Sequence, residues 1–178
     1  KTKAQEQIKT YLEQYNNLPN IEAVTNVGNQ QWSIKWVEFG NLFRYGDGNR
    51  IDFEKQIGLV GIFGKNKIGK SSVIAAVMYA LYNVTDRGSL KASDIINKRK
   101  NSCWANVCFS HDGTDYLIER ETTRTNLKDP SKSATKVNFY ELKSKPGATE
   151  PTKIPRNNIS RDETDKEIRK LIGSPEDF

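Results

Sequence analysis

The chain has 178 residues, a formal net charge of +6, 35% hydrophobic and 28% charged residues, with three Trp, seven Tyr and seven Phe. That length holds one domain, or one domain with an appendage, and excludes two domains of full size. The aromatic content excludes a disordered composition despite a mean hydropathy of −0.73, the basic excess favours contact with a polyanion without requiring one, and no run approaches the ~18 apolar residues of a membrane helix.

Ala4, Ile8, Leu12 and Tyr15 recur at helical spacing, predicting an amphipathic helix over 2–16 that stops at Asn16, Asn17 and Pro19, with a linker from Asn20 to Gln31. Residues 1–31 are read as a packing appendage to the domain 32–178, with the tail of an upstream domain such as a fused nuclease as the alternative. From Trp32 the period becomes two, through Ile34 and Trp36, then changes parity at Val37 and Phe39, so a strand with a bulge near Trp36 or Val37 is expected, closed by Gly40. Gly46, Asp47 and Gly48 signal a turn before a short strand at Arg50–Phe53. Ile57–Phe63 (IGLVGIF) is apolar nearly throughout and reads as a strand buried on both faces. A helix over Lys70–Tyr82 follows, with Val73, Ile74, Val77, Met78 and Leu81 on its core side.

After a polar loop at 83–93, strands at Cys103–Ser110 and Tyr116–Arg120 flank His111-Asp112-Gly113, a hairpin signal in which His111 reads as a turn residue rather than a ligand. The odd spacing of Cys103 and Cys108 on one strand sends them to opposite faces, against a disulfide or shared metal, and suits a reducing intracellular setting: cytoplasm, or nucleus in a eukaryote. A strand is expected at Lys136–Leu142, exposed loops at 122–135 and 143–158, and a final helix begun by a Ser160/Glu163 capping box and ended by Gly173 and Pro175. Trp32, Trp36 and Trp104 read as core side chains.

Gly64 to Ser71 reads GKNKIGKS and satisfies G-x-x-x-x-G-K-[ST]. Small residues are needed there because the backbone must curl until successive N–H groups face a phosphate at the positive end of the next helix. Lys70 is the candidate catalytic residue, bridging β- and γ-phosphates; Ser71 is the candidate Mg²⁺ ligand, and Ser72 adds a hydroxyl toward the α-phosphate. Gly64, Asn66, Lys67 and Gly69 complete the loop. Neither the Asn-Lys-x-Asp motif nor an Asp-x-x-Gly switch of a GTPase is present, since Asn97-Lys98-Arg99-Lys100 lacks the Asp. Tyr116 to Glu119 is too short for a Walker B strand, so part of a hydrolytic site is expected outside this chain. Lys98, Arg99, Lys100 and Arg124, with Lys91, Arg120, Lys128 and Lys132, are candidates for a phosphate-tracking DNA surface.

Trp36-Val-Glu-Phe-Gly-Asn-Leu-Phe-Arg-Tyr45, Asn49-Arg-Ile-Asp-Phe53, Gly61 to Ser72, Leu81-Tyr82, Asp94-Ile-Ile-Asn97, Tyr116 to Arg120 and Leu171 to Phe178 together resemble the N-terminal lobe of the SMC-like DNA-repair ATPases. The closest likeness is to the SbcC type and the large subunit of the T-even phage recombination endonuclease. The resemblance implies an α/β P-loop NTPase lobe, ABC/SMC-head-like, with a mixed sheet and an antiparallel β layer. It also implies ATP and Mg²⁺ as cofactors, a separate C-terminal lobe carrying Walker B, and a second head that dimerises with the first over ATP. DNA and a partner nuclease follow from the same likeness, with no membrane. By position, Asn66 would stand beside the γ-phosphate and Arg44 would contact base or phosphate. Lys67 stands where the family usually has Gly. The alternatives are an SMC, RecF or ABC-type ATPase without a nuclease, and a degenerate nucleotide-sensing, DNA-tethering module.

Overall fold

The computed structural model describes residues 32–177 apart from 57–59, 67–68, 86–90, 127, 130, 146 and 148. The helix expected at 2–16 and the linker after it lie outside the described residues. Six strands form one sheet in the order β2-β1-β3-β4-β5-β6: β1 (Trp32–Gly40), β2 (Asn49–Asp52), β3 (Ser102–His111), β4 (Thr114–Arg124), β5 (Ser133–Lys143) and β6 (Thr152–Pro155). Helices α1 (Ser71–Tyr82) and α3 (Arg161–Ile172) and the single turn α2 (Ala92–Ile95) pack against it.

Alternation along the central strands places the core. On β3, Cys103, Ala105, Val107 and Phe109 are fully buried, and on β4 Ile118 and Thr122 join them from the matching register. The β3–β4 turn has Asp112 at φ 48° and Gly113 at φ 76°, the two left-handed residues that a type I′ hairpin requires. In β1 the register against β3 shifts between Ile34 and Trp36, so the bulge falls at Lys35, one residue before the expected place. The bulge lets Ile34, Val37 and Phe39 all reach the core, and Lys35 spans outward to Asp115 at 2.8 Å and Glu54 at 3.2 Å.

Four expectations need correction. Thr122 to Thr135 is not all loop, because β4 runs on to Arg124 and β5 starts at Ser133. A buried hydroxyl chain rewards that extension: Tyr79 Oη and Thr122 Oγ1 are 2.7 Å apart, as are Thr122 Oγ1 and Thr135 Oγ1. The loop expected at 143–158 contains the edge strand β6, where a terminal Pro155 is tolerated. The helix α1 is rotated relative to its aliphatic pattern. Ser72, Ala75, Ala76, Tyr79 and Ala80 are buried beside Val77 and Leu81, while Ile74 is 51% exposed, because alanines let the helix axis approach the sheet closely.

The fourth correction concerns Ile57–Phe63. Its described part, Val60–Phe63, lies in no strand, with Val60, Ile62 and Phe63 exposed by 53, 52 and 75%. An apolar run marks a surface that must be covered, and among the described residues no strand pairs with it. Every described pairing is antiparallel, so the antiparallel layer stands and no parallel pair occurs among the described residues.

The helix α3 starts as expected. Ser160 Oγ accepts from the Glu163 N–H, and the Glu163 carboxylate accepts from the Ser160 N–H, at 3.2 and 3.3 Å. Arg120 of β4 joins both long helices to the sheet. Its fully buried guanidinium donates to the carbonyls of Ala80 and Leu81 at the end of α1 and to Asp165 of α3 at 2.7 Å.

Candidate functional site

Between Phe63 and α1 the described residues are Gly64–Asn66 and Gly69–Lys70. Lys70 Nζ donates to the carbonyls of Gly64 and Lys65 at 2.8 and 3.0 Å, so the ammonium closes the loop over its own backbone. Gly69 takes φ +110°, a conformation an L side chain resists. The helix then begins at Ser71 with no side-chain cap and no acidic residue in its first turn. The positive end of α1 therefore lacks the internal anion that most helices supply.

A second segment, Asn41 to Asp47, reaches the loop from the end of β1. Asn41 and Phe43 both have positive φ, 58° and 51°, and for a bulky aromatic that conformation is uncommon and strained. It is held by cross-links: the Phe43 N–H donates to the Ile95 carbonyl at 2.8 Å, the Asn97 N–H to the Asn41 carbonyl at 2.8 Å, and the Asn97 amide to the Tyr45 carbonyl at 3.1 Å. Tyr45 Oη in turn donates to the Gly69 carbonyl at 3.1 Å.

Two cavities result. One of about 360 Å³ is lined by Phe43, Arg44, Asn66, Gly69, Lys70, Ser71 and Ser72. The other, about 540 Å³, is lined by Phe43, Arg44, Asp94, Ile96, Asn97, Lys98 and Arg99. Phe43 and Arg44 are common to both. Of the residues singled out in the sequence, Arg44, Asn66, Gly69, Lys70, Ser71 and Ser72 thus converge on one cavity and Gly64 bonds to Lys70, while Lys67 lies outside the described residues.

The basic candidates divide. Lys98 and Arg99 are exposed and line the second cavity with Arg44, whereas the Arg124 guanidinium donates to the Lys100 carbonyl, tying β4 to the 98–100 turn. Arg120, counted among the possible DNA contacts, is buried and paired to Asp165, so it leaves that surface. The tryptophans are half-buried rather than core. Trp32 packs edge-on to Phe109, but Trp36 lies under Arg50 and Trp104 Nε1 donates to Asp47, outside the main core cluster. Phe43, Tyr45, Asp94, Ile96 and Asn97 had carried no site assignment. The resemblance segments Trp36–Tyr45 and Asp94–Asn97 contain all five, but nothing in sequence announces a left-handed Phe.

Residues 37–178 match the AAA domain family over nearly the whole described chain. The chain belongs to this AAA domain family. Among curated proteins, this AAA domain chain is 31% identical over 152 residues to the uncharacterized protein R555 of Acanthamoeba polyphaga mimivirus, covering 84% of this chain and 11% of that protein. It is 38% identical over 81 residues to the DNA double-strand break repair Rad50 ATPase of Methanocaldococcus jannaschii, covering 46% and 8%. The chain thus spans about a tenth of the length of the curated relatives it matches. A solved structure from work on ATP-driven dimerization and DNA-stimulated activation of SMC ATPases superposes with a TM-score of 0.51 at 18% identity, over 82% of each chain. The likeness to SMC-like repair ATPases and the α/β P-loop class both stand.

Proposed function

We propose that this chain is the ATP-binding N-terminal lobe of a DNA-repair or recombination ATPase. The observation that carries this reading is the pair of adjoining cavities. One presents Lys70, Ser71 and the uncapped start of α1 to an anion, the other is lined by a half-apolar set, Phe43 and Ile96 with Asp94 and Asn97, and Arg44 stands between them. A ligand with a polyphosphate at one end and a flat polar ring at the other matches both. In this reading Lys70 neutralises β- and γ-phosphate charge, the 64–70 backbone cradles the β-phosphate, and Asn66 faces the γ-phosphate. Among the described residues the phosphate cavity has no carboxylate in its lining, and Ser71 and Ser72 are its two hydroxyls at the mouth of α1. That donor set fits a Mg²⁺ that arrives on phosphate oxygens and keeps most of its waters.

The exposed Val60, Ile62, Phe63 and Ile74 support a C-terminal lobe of the same protein as the element that covers them and completes hydrolysis. By family likeness, a second head would close over ATP, and that closure would control DNA and a partner nuclease. Lys98, Arg99 and Lys100, with Lys91, Lys128 and Lys132, are the DNA candidates that remain solvent-facing, and the free buried thiols suit an intracellular protein. Amide hydrogen exchange with saturating MgATP tests the reading: protection is expected at 69–73 and 94–99 together. Protection of neither segment, or of the first alone, contradicts it.

A further inference from the structure

The phosphate loop is braced from outside by one side chain. Tyr45 Oη donates to the Gly69 carbonyl at 3.1 Å, and the Ser72 N–H donates to the same oxygen at 2.9 Å, so both lone pairs of that carbonyl are engaged. The ring lies against Gly69, 3.4 Å from where a Cβ would stand, and is itself fixed edge-on to Phe39 with centroids 5.1 Å apart. Its backbone is pinned on both sides, by its own N–H to Leu42 and by the Asn97 amide on its carbonyl. Tyr45 is therefore a rigid post between the sheet and the loop.

The Gly69 carbonyl and the Lys70 N–H belong to one planar trans peptide and point in opposite directions. Holding the oxygen fixes the donor. At φ +110° Gly69 sits in a region where glycine backbones have wide freedom, so the peptide depends on the two bonds to its oxygen, the Ser72 N–H from α1 and the Tyr45 hydroxyl from the sheet side. From this geometry we infer that Tyr45 is a positioning residue: its hydroxyl orients the Gly69–Lys70 peptide so that the Lys70 N–H faces a bound polyphosphate. This rests on the nucleotide reading above and extends it to a residue that does not line the phosphate cavity.

The test is a competition assay on this chain and on Tyr45→Phe, which keeps the ring and its packing and removes only the hydroxyl. A fluorescent ATP analogue with Mg²⁺ is displaced by ATP, by inorganic tripolyphosphate and by adenosine. Loss of one hydrogen bond is expected to weaken ATP and tripolyphosphate by the same factor, roughly 2- to 12-fold, with adenosine and the thermal midpoint unchanged. If the wild-type chain binds and Tyr45→Phe binds tripolyphosphate equally well, the post has no positioning role. An equal loss for adenosine overturns it too, because a merely structural loop defect would move the base end as well. A wild-type chain that does not bind the analogue overturns the nucleotide reading itself.

Discussion

Asp165→Asn removes one half of the ion pair that fastens α1 and α3 to β4, and the structure sets the size of the effect. Arg120 has no side-chain exposure and Asp165 has 14%. Removing one partner of a buried pair leaves the other charge uncompensated, at a cost of about 3–5 kcal/mol. The partial exposure of Asp165 and the two remaining guanidinium bonds to Ala80 and Leu81, 3.3 and 3.4 Å long, place this case at the lower end, about 3 kcal/mol. For a chain of this size each kcal/mol lowers the midpoint by roughly 2–4 °C, so calorimetry should show a fall of about 6–12 °C. The double variant Arg120→Met with Asp165→Leu should recover much of the loss, since an apolar replacement of the whole pair carries no orphaned charge. A single variant within about 2 °C of wild type, or a double variant as unstable as the single, would refute the reasoning.

Burial holds the Cys103 thiol up to about 12 and the Cys108 thiol up to about 11, against an ordinary 9.0. Iodoacetamide at pH 8 should therefore label both slowly in the native chain and rapidly in urea; equal rates would contradict the burial. The unfolded chain sheds these protons first, so stability should fall as pH rises above about 9, by roughly 1.4 kcal/mol per pH unit for each thiol until its native value is reached; a flat profile from pH 9 to 11 would contradict this. Phe63→Ser should leave the midpoint within about 2 °C, as an exposed substitution does, yet abolish association with a C-terminal lobe supplied separately. A large loss of stability would show that Phe63 is packed within this chain. Lys98→Glu with Arg99→Glu should weaken duplex DNA binding and flatten its log-log salt dependence by about 0.9 for each phosphate that the turn no longer neutralises; an unchanged slope would remove this turn from the interface.

The sequence was most legible where local chemistry and tertiary context agree. The Asp112-Gly113 turn and the Ser160/Glu163 cap each specify a backbone shape in a few residues, and both are seen in the described structure. Strand ends are hard to read where threonines carry the ladder, because Thr122 and Thr135 are polar by composition but bonded to each other inside the fold. The buried face of α1 is obscured because alanine packing leaves a weaker signal than Ile74 and Met78. The cavity beside Asn97 was legible only as two separate stretches, Trp36–Tyr45 and Asp94–Asn97, because the backbone hydrogen bonds that join them across about 50 residues leave no mark in sequence pattern. Ile57–Phe63 shows the opposite case. The apolar signal there is real, but its described part is exposed in this chain, which fits a surface whose cover lies elsewhere.

The most direct measurement is an equilibrium titration of MgATP into this chain and its Lys70→Ala variant, with matched thermal midpoints as a control for folding. Saturable binding by the wild type is predicted, weakened roughly 10-fold or more in the variant, as expected when a charged donor to phosphate is lost. No binding by the wild type, or the same affinity in Lys70→Ala, would contradict the assignment of an ATP site to this loop.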